Sequence, residues 1–375
     1  MNYFLIAGEA SGDLQAAQLM RFIRLKDPDA EFRCVGGEQM QARGGRLLKH
    51  YRDLAFMGLF DVIAHLGTIL SAMQMVKKEL TSNPPDILIL VDYAGFNMRI
   101  ARYAHKLNIR VFYFISPKIW AWNRSRVHTV KRFVERMFVI LPFEVDFYAS
   151  YGYKADYVGN PLVDKISEDL PSLPGKEEFI RKYNLDGRPV IAILPGSRIQ
   201  EVKKMLPLMV KMTTYFPAFQ FIIAGTSSLP QSLYEKITRG YDIRLLINDT
   251  YTILRHATAA LVTSGTATLE TALFRVPEVV CYAVSRLTYL IGRPLVKVKY
   301  ISLPNLIMDR PVVKELIQHH MNEKNMRAEL ENLLPPSAYR DTMLSEFDDL
   351  IDKMGNPGAA ERVAGLMFDA LRTAR

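Results

Sequence analysis

With 375 residues, the chain is long enough for two domains of ordinary size. Apolar residues make up 49% of the sequence, which excludes a disordered chain and allows a full hydrophobic core. The formal net charge of +9 favours anionic partners such as phosphorylated substrates or an anionic membrane surface. We expect no nucleic-acid partner, because the charges are spread along the chain and no nucleic-acid-binding signature accompanies them.

The cysteines and the most apolar stretch bear on the compartment. Cys34 and Cys281 are far apart and lie beside apolar residues, which is typical of buried reduced thiols in a cytoplasmic protein. The N-terminus lacks the charged region and cleavage site of a signal peptide. Residues 54–76 are strongly apolar, but Asp61 lies within them and argues against a membrane span.

The first half of the chain alternates apolar strands with helical stretches. The spacing of apolar residues after position 13 predicts a helix with one apolar face. Strands separated by helices predict parallel βαβ units and a doubly wound sheet. The predicted strands of this half are 4–7, 32–35, 87–91, 111–115 and 137–140.

The same alternation restarts in the second half. Residues 167–175, rich in Pro, Ser and acids, predict the linker between two domains. After Pro304 the pattern becomes helical, and a final helix is predicted over 358–375. We therefore expect two tandem Rossmann-like α/β domains, 1–168 and 169–345, followed by a helical segment, 346–375. The predicted strands of the second domain are 190–194, 221–224, 244–247, 259–262 and 279–282.

Two strand-to-helix turns in the second half suit an anion. In the first, Gly196 permits close approach to the backbone, Ser197 offers a hydroxyl and Arg198 offers a fork of donors. The alternative is an ordinary loop with a surface arginine. The second turn, Ser264-Gly265-Thr266, opens a helix whose free N–H groups suit a diphosphate. One turn later, Glu270 can accept bonds from ribose hydroxyls, and here the alternative is a simple capping sequence.

The first half has two turns of a different character. The turn from Gly8 to Asp13 is not a dinucleotide fingerprint, since its glycines are spaced G-x-x-x-G and its carboxylates would repel a pyrophosphate. They can bind sugar hydroxyls, or Ser11 or Asp13 can cap the following helix. Asp92 ends a buried strand, where an apolar wall would raise its pKa and suit it as a general base. The alternative for Asp92 is an N-cap.

The apolar stretch and the tryptophans leave alternatives open. Residues 54–76 suit either an interfacial segment that meets acyl chains or the membrane, or a helix buried under the sheet. Trp120 and Trp122 either line a crevice or fill the core. No cluster has metal-ligand spacing, since His319-His320 stands without further ligands, so we expect neither a metal nor a cofactor. The candidate lipid-contact residues are Met57, Leu59, Phe60, Ile63, Leu66, Ile69 and Leu70.

Seven motifs, in this order along the chain, resemble the lipid-A-disaccharide synthase family from residue 8 to beyond Gln318. Each motif is weak by itself, but the ordered set is specific. The motifs are Gly8-Glu9-Ala10-Ser11-Gly12-Asp13, Ser116-Pro117-x-x-Trp120-Ala121-Trp122, Leu141-Pro142-Phe143-Glu144, Gly159-Asn160-Pro161, Leu194-Pro195-Gly196-Ser197-Arg198, Ser264-Gly265-Thr266-Ala267-Thr268-Leu269-Glu270 and Ser302-Leu303-Pro304-Asn305.

The resemblance implies an inverting glycosyltransferase of the GT-B fold, with a cleft between its two Rossmann-like domains and the C-terminal helix returning to the N-terminal domain. Such an enzyme joins UDP-2,3-diacylglucosamine to 2,3-diacylglucosamine 1-phosphate in lipopolysaccharide biosynthesis of Gram-negative bacteria. The products are the β-1,6 lipid A disaccharide 1-phosphate and UDP. The family needs no metal and is peripheral on the cytoplasmic face of the inner membrane. A monomer or a homodimer is expected.

The resemblance also assigns roles residue by residue. It places the general base at Asp92, and Glu9, with Ser11, on the acceptor and sugar side. Many members carry a second acid where this chain has Gly95, so no essential role can rest there. For the donor, the resemblance implies UDP contacts by the turns that contain Gly196, Ser197, Arg198, Ser264, Gly265, Thr266 and Glu270, and by Asn305.

Two other functions share parts of this pattern. A UDP-N-acetylglucosamine 2-epimerase has the same fold and nucleotide half but needs no acyl-binding surface. A non-catalytic lipid- or nucleotide-binding protein would bind UDP without turnover. Asp92, at the end of a buried strand, argues against a non-catalytic binding protein. A nicotinamide oxidoreductase is disfavoured because the chain lacks the dinucleotide-binding fingerprint after its first strand.

Overall fold

The computed structural model describes residues 1–53, 66–285, 289, 293 and 298–373. The chain divides into two compact units. Unit 1 comprises Met1–Asp164 and Asn356–Arg375, and unit 2 comprises Lys165–Gly355. The predicted end of the second domain, residue 345, lies inside a continuous helix, Ala338–Met354. The boundary between the units lies after that helix, at Gly355.

Unit 1 is built on a seven-stranded parallel sheet with the order β3-β2-β1-β4-β5-β6-β7. All five residues of β4 are buried, because helices cover both faces of the sheet and each side chain therefore meets apolar neighbours. The strands are β1 (Asn2–Ala7), β2 (Glu31–Gly36), β3 (Gly45–His50), β4 (Ile87–Val91), β5 (Arg110–Phe114), β6 (Arg136–Val139) and β7 (Ala155–Tyr157).

The helices of unit 1 form a layer on each face of this sheet. Apolar side chains of α3, α4 and α6 pack on one face. On the other face α1 packs with α17, whose Val363 and Met367 are fully buried. The predicted return of the C-terminal helix to the N-terminal domain is therefore confirmed. The helices are α1 (Ala10–Lys26), α2 (Glu38–Ala42), α3 (Leu66–Ser82), α4 (Ala94–Lys106), α5 (Ile119–Trp122), α6 (Val127–Phe133), α7 (Phe143–Ala149) and α17 (Ala359–Thr373), and α8 (Pro161–Asp169) leads into unit 2.

Unit 2 repeats the plan with six parallel strands in the order β10-β9-β8-β11-β12-β13. Its strands are β8 (Val190–Leu194), β9 (Gln220–Gly225), β10 (Ile243–Ile247), β11 (Ala257–Thr263), β12 (Glu278–Tyr282) and β13 (Lys314–Ile317). Its helices are α9 (Lys176–Tyr183), α10 (Ile199–Met209), α11 (Gln231–Thr238), α12 (Thr250–His256), α13 (Thr266–Leu273), α14 (Leu303–Met308), α15 (Glu323–Leu333) and α16 (Ala338–Met354).

In each unit the strand order reverses once, between β1 and β4 in unit 1 and between β8 and β11 in unit 2. Doubly wound sheets bind ligands at such a reversal, at the carboxyl ends of the strands. The four turns that the sequence singles out follow these four strands. The fold thus brings Gly8 near Asp92 in unit 1, and Gly196 near Gly265 in unit 2.

Over the described part of the chain, no helix is both long and apolar enough to cross a bilayer.

Candidate active site

The turn after β4 is conformationally strained. Asp92 and Tyr93 have φ values of 46° and 48°, in the left-handed region that residues other than glycine seldom adopt. Three bonds hold the Asp92 backbone there. Its N–H donates to the Phe114 carbonyl at 3.0 Å, and its carbonyl accepts from Asn97 Nδ2 at 2.8 Å and from the Tyr113 hydroxyl at 2.5 Å. Such over-determined strain is characteristic of functional sites.

The half-buried Asp92 carboxyl is suited to proton transfer. Burial raises its pKa, while the Lys118 ammonium and the Tyr93 N–H act in the opposite direction. The N-cap of α4 is Tyr93, without a side-chain cap bond, so the structure does not use Asp92 as a cap. The carboxyl therefore lies at the carboxyl end of the central strand β4, in an environment that favours a general base.

The turn after β1 meets the Asp92 turn. The Tyr93 ring lies over Gly8, where a Cβ would come within 2.2 Å of Tyr93 Cγ, so only glycine fits. Glu9 is the N-cap residue of α1 and makes no side-chain cap bond. Burial and then the nearby Glu9 charge raise the Tyr93 pKa, which places Glu9 at the same edge. Ser11 is exposed in the first turn of α1.

Asp13, by contrast, has a structural role. Its buried carboxylate accepts from the backbone N–H groups of Gly37 at 2.7 Å, Gln39 at 3.0 Å and Met40 at 3.2 Å. It therefore caps α2 and not its own helix, α1. The predicted alternative of a cap on the helix that follows it, α1, is wrong for Asp13, because its carboxylate binds the N-terminus of α2.

Sequence reasoning missed a buried carboxyl at the neighbouring strand tips. Glu144 accepts from Trp120 Nε1 at 3.1 Å, from the Leu141 N–H at 3.0 Å and from the Ser116 hydroxyl. Burial raises the pKa of Glu144 to about 7. In the sequence, only the position of Glu144 at the end of the motif Leu141-Pro142-Phe143-Glu144 indicated that this residue has a role.

The two tryptophans differ, since Trp120 is buried while Trp122 is 48% exposed beside Arg126.

In unit 2, the turn after β8 already holds an anionic group. The N–H groups of Ser197 and Arg198 donate to Glu201 Oε2 at 3.1 and 3.3 Å. The mainly exposed Arg198 guanidinium also reaches Glu201, at 3.4 Å. Gly196 has φ 99°, and a Cβ there would lie 2.5 Å from Glu201 Oε2. The turn therefore holds a carboxylate oxygen, and Arg198 with Glu201 forms a capping box at the start of α10.

The turn after β11 presents a helix N-terminus. Gly265 is the N-cap of α13, and Thr266 is exposed in its first turn. The Ser264 hydroxyl is used within the fold, because it donates to the Ile301 carbonyl at 2.9 Å. The Tyr251 hydroxyl donates to Glu270 at 2.9 Å, and Lys165 Nζ lies 5.0 Å from the Tyr251 ring centroid. Burial raises the Glu270 pKa, which Tyr251 and Lys165 partly offset.

Asn305 is 1% exposed, and its amide is engaged within the protein. Asn305 Nδ2 donates to the Val313 carbonyl at 2.9 Å and to Glu315 at 3.0 Å, and the Val313 N–H donates to Asn305 Oδ1 at 2.8 Å. The structure thus uses Asn305 to hold α14 against the start of β13, not to present an amide to solvent.

Most of the predicted lipid contacts, namely Met57, Leu59, Phe60, Ile63 and the side chain of Leu66, lie outside the described residues. Further along α3, Ile69 packs against the core while Leu70 is 45% exposed. The buried face of α3 comprises Ala72, Met73, Val76 and Leu80. Within the described ranges, no group of three or more His, Cys, Asp or Glu side chains is placed to hold a metal ion.

Comparison with known proteins extends over nearly the whole chain. The family model described as Lipid-A-disaccharide synthetase matches residues 3–355. A lipid-A-disaccharide synthase of Geobacter sulfurreducens is 37% identical, over 98% of this chain and 96% of that protein. One from Syntrophus aciditrophicus is 39% identical, over 98% of this chain and 97% of that protein.

Solved structures match at the level of the fold. The UDP complex of S. aureus MnaA has a TM-score of 0.69 at 12% identity, covering 99% of this chain and 97% of that one. UDP-GlcNAc 2-epimerase from Neisseria meningitidis, bound to UDP-GlcNAc, has a TM-score of 0.65 at 12% identity, covering 98% and 100%. The predicted fold class of two Rossmann-like units is confirmed, and at these identities the likeness concerns the fold alone.

Proposed function

Since the chain belongs to the lipid-A-disaccharide synthase family and is thus a glycosyltransferase of lipid A biosynthesis, we propose that it performs the family reaction with the residues described above. The substrates are UDP-2,3-diacylglucosamine and 2,3-diacylglucosamine 1-phosphate. The products are UDP and the β-1,6-linked disaccharide 1-phosphate. The epimerases share only the fold, so an epimerase activity is not favoured.

The acceptor half of the reaction belongs to unit 1. The observation that carries this assignment is the strained turn that holds Asp92 at the strand-order reversal, with burial raising its pKa. The Asp92 carboxylate takes the proton of the acceptor 6-hydroxyl while that oxygen attacks the anomeric carbon. The new O6–C1 bond forms as the bond from C1 to the UDP oxygen breaks, which inverts the anomeric configuration. Glu9 lies at the same edge, where it can accept bonds from sugar hydroxyls.

The donor half belongs to unit 2. The N–H groups of Ser197 and Arg198 and the Arg198 guanidinium bind the Glu201 carboxylate, which supports a diphosphate in the same turn. The N-terminus of α13 at Thr266 adds a second set of N–H donors. These groups stabilise the negative charge that UDP carries as it leaves. Glu270 is positioned on α13 to accept from ribose hydroxyls.

The charge distribution of unit 1 supports binding of the protein to an anionic membrane surface. Helices α3 and α4 and residues 118–133 together contain ten Lys and Arg residues and a single acid, Glu79. Glu79 is already paired with Arg33. This surplus equals the +9 of the entire chain. We propose that the protein binds peripherally to the cytoplasmic face of the inner membrane, where its lipid substrates are.

A coupled assay tests the function directly. The enzyme is mixed with both acylated substrates in neutral detergent and EDTA, and UDP release is recorded. We expect release that requires both lipids and persists in EDTA. Turnover of unacylated UDP-N-acetylglucosamine alone would indicate an epimerase. UDP binding without release would indicate a non-catalytic protein.

A further inference from the structure

We propose that Glu144 is a positioning residue for the acceptor half of the reaction, whose buried carboxylate fixes the segment 116–122 beside Asp92. The proposal rests on the transferase function proposed above and adds to it a residue that does not itself touch substrate. Its basis is a chain of contacts across the tips of three adjacent strands, β4, β5 and β6.

The carboxylate joins two loops. It accepts from Ser116 and Trp120, which follow β5, and from the Leu141 N–H, which follows β6. Glu144 is 2% exposed, and Ser116 and Trp120 are buried with it. A buried carboxylate that satisfies three donors holds them firmly, because losing it would leave those donors unpaired away from water.

The segment needs such an anchor because it begins with strain. Ile115, immediately before it, has φ 64°, and a β-branched residue in the left-handed region is a genuine outlier. The Ile115 N–H donates to the Phe138 carbonyl at 3.0 Å, so β6 holds this strained residue from one side. Glu144 holds the residues that follow. Strained backbone persists only where the surroundings over-determine it.

The anchored segment reaches Asp92 through Lys118, and β5, which leads into the segment, reaches Asp92 through Tyr113. Lys118 lies on the segment, and the Lys118 charge is the main influence that opposes the effect of burial on the Asp92 pKa. Tyr113, two residues before Ile115, donates its hydroxyl to the Asp92 carbonyl. A shift of the segment would therefore move the Lys118 charge relative to Asp92 and change the electrostatics of the base.

The anchor is strongest when Glu144 is ionised, because a carboxylate accepts charge-assisted hydrogen bonds from all three donors, whereas the neutral acid accepts more weakly and must itself donate a proton. Among the residues that the structure describes, the other titratable groups that face it are the phenols of Tyr148 on α7 and Tyr157 on β7. Burial raises the pKa of both tyrosines, so both are neutral near pH 7. Since the Glu144 pKa is raised to about 7, the network changes charge in the neutral range through Glu144 alone.

The first test is kinetic and uses Glu144→Gln, with Asp146→Asn as the control on the exposed side of the same helix. We expect Glu144→Gln to lower kcat about 10- to 100-fold, the scale of a misplaced catalytic group. UDP affinity should be unchanged, because the UDP turns belong to unit 2. Trp120→Phe and Ser116→Ala each remove one donor and should lower kcat in the same direction, but less than additively with Glu144→Gln.

The second test is spectroscopic and needs no substrate. The chain has two tryptophans, so Trp122→Phe leaves Trp120 as the only indole emitter. We expect Trp120 emission to titrate with a midpoint near pH 7 as Glu144 ionises. Adding Glu144→Gln should abolish this titration, and adding Asp146→Asn should not.

Loss of kcat with retained UDP affinity, together with a Trp120 titration that depends on Glu144, supports the proposal. In the kinetic test, an unchanged kcat in Glu144→Gln, or a loss of UDP affinity as large as the loss of kcat, would overturn it. In the spectroscopic test, Trp120 emission that does not titrate, or that still titrates in Glu144→Gln, would overturn it. Failure of the transferase function itself appears differently, as no UDP release by the wild type from both lipid substrates.

Discussion

At the scale of single residues, three carboxyls of the described part of the chain, Asp92, Glu144 and Glu278, differ in their surroundings. Asp92 is half-buried on a strained turn, Glu144 is buried with three donors, and Glu278 is fully buried with none among the described residues. Burial raises the pKa of all three. Their surroundings, rather than their shifts, separate a candidate base from a positioning group and from a destabilising one.

Asp92→Asn tests the candidate base. The amide keeps the size of the side chain but cannot take a proton, so we expect turnover to fall about 100-fold or more. The turn should survive, because its hydrogen bonds are made by the Asp92 backbone. UDP release reports turnover, and calorimetry with UDP reports the donor site. Near-normal turnover would remove Asp92 from the mechanism.

Glu278→Met tests the unpartnered carboxyl. Burial raises the pKa of Glu278 in the folded protein well above the ordinary value of 4.5, so the contribution of Glu278 to stability is present below pH 4.5 and is lost as pH rises. We expect the apolar variant to gain about 1–3 kcal/mol in unfolding free energy at neutral pH, and less near pH 4. Urea denaturation measures both, with Glu235→Met, exposed on α11, as the control. A neutral-pH loss of stability would show that Glu278 has a partner.

At the scale of elements, each unit has a strand-to-helix turn whose N–H groups bind a carboxylate of the protein itself. The turn after β8 binds Glu201 of α10, and Asp13 of α1 binds the start of α2. Both arrangements satisfy N–H groups that lack partners at a helix N-terminus. The two turns differ in how accessible they are to a ligand from solvent, because the Arg198 side chain is 69% exposed and Asp13 is 1% exposed.

Arg198→Gln tests the exposed turn. Loss of a charge-assisted bond to a diphosphate should weaken UDP binding roughly 10- to 100-fold. Calorimetric titration with UDP measures this, and Arg239→Gln, at the end of α11, is the control. Unchanged UDP affinity would place the diphosphate elsewhere.

Asp13→Ala tests the buried cap. Three N–H groups of the α2 N-terminus lose their acceptor, so we expect a loss of about 1–2 kcal/mol in unfolding free energy. UDP affinity should stay the same, since unit 2 is untouched. If stability were unchanged while turnover collapsed, Asp13 would belong to the reaction instead.

At the scale of the whole molecule, charge is distributed unevenly between the two helical layers of unit 1. The layer of α3, α4 and α6 is almost purely basic, whereas α1 and α17 carry both signs. A surface with one sign of charge attracts anionic lipid headgroups from a distance set by the Debye length.

Vesicle binding tests this layer. Lys78→Gln, Arg99→Gln and Lys106→Gln together should weaken binding to anionic vesicles roughly 100-fold, at about 1 kcal/mol per charge. The matched control is Arg21→Gln, Lys26→Gln and Arg372→Gln on the opposite layer. Added salt should release the wild type. Equal effects of the two triples would show that net charge alone matters.

The sequence by itself determined the central strands and the turns that follow them. A run such as Ile87–Val91 is recognisable because both faces of a central strand are buried and every residue must be apolar. Of the four edge strands in the described sheets, β10 was predicted over 244–247, whereas β3, β7 and β13 were missed because an edge strand needs fewer apolar residues. The ordered motifs indicated the family.

Only the tertiary structure decided which polar residues are free to act. Asp13 meets α2, Glu144 joins two loops and Asn305 is enclosed by β13, and each of these partners comes from another segment of the chain. A motif shows which donors and acceptors are present. Whether they are satisfied within the protein depends on contacts between segments, which local sequence does not specify.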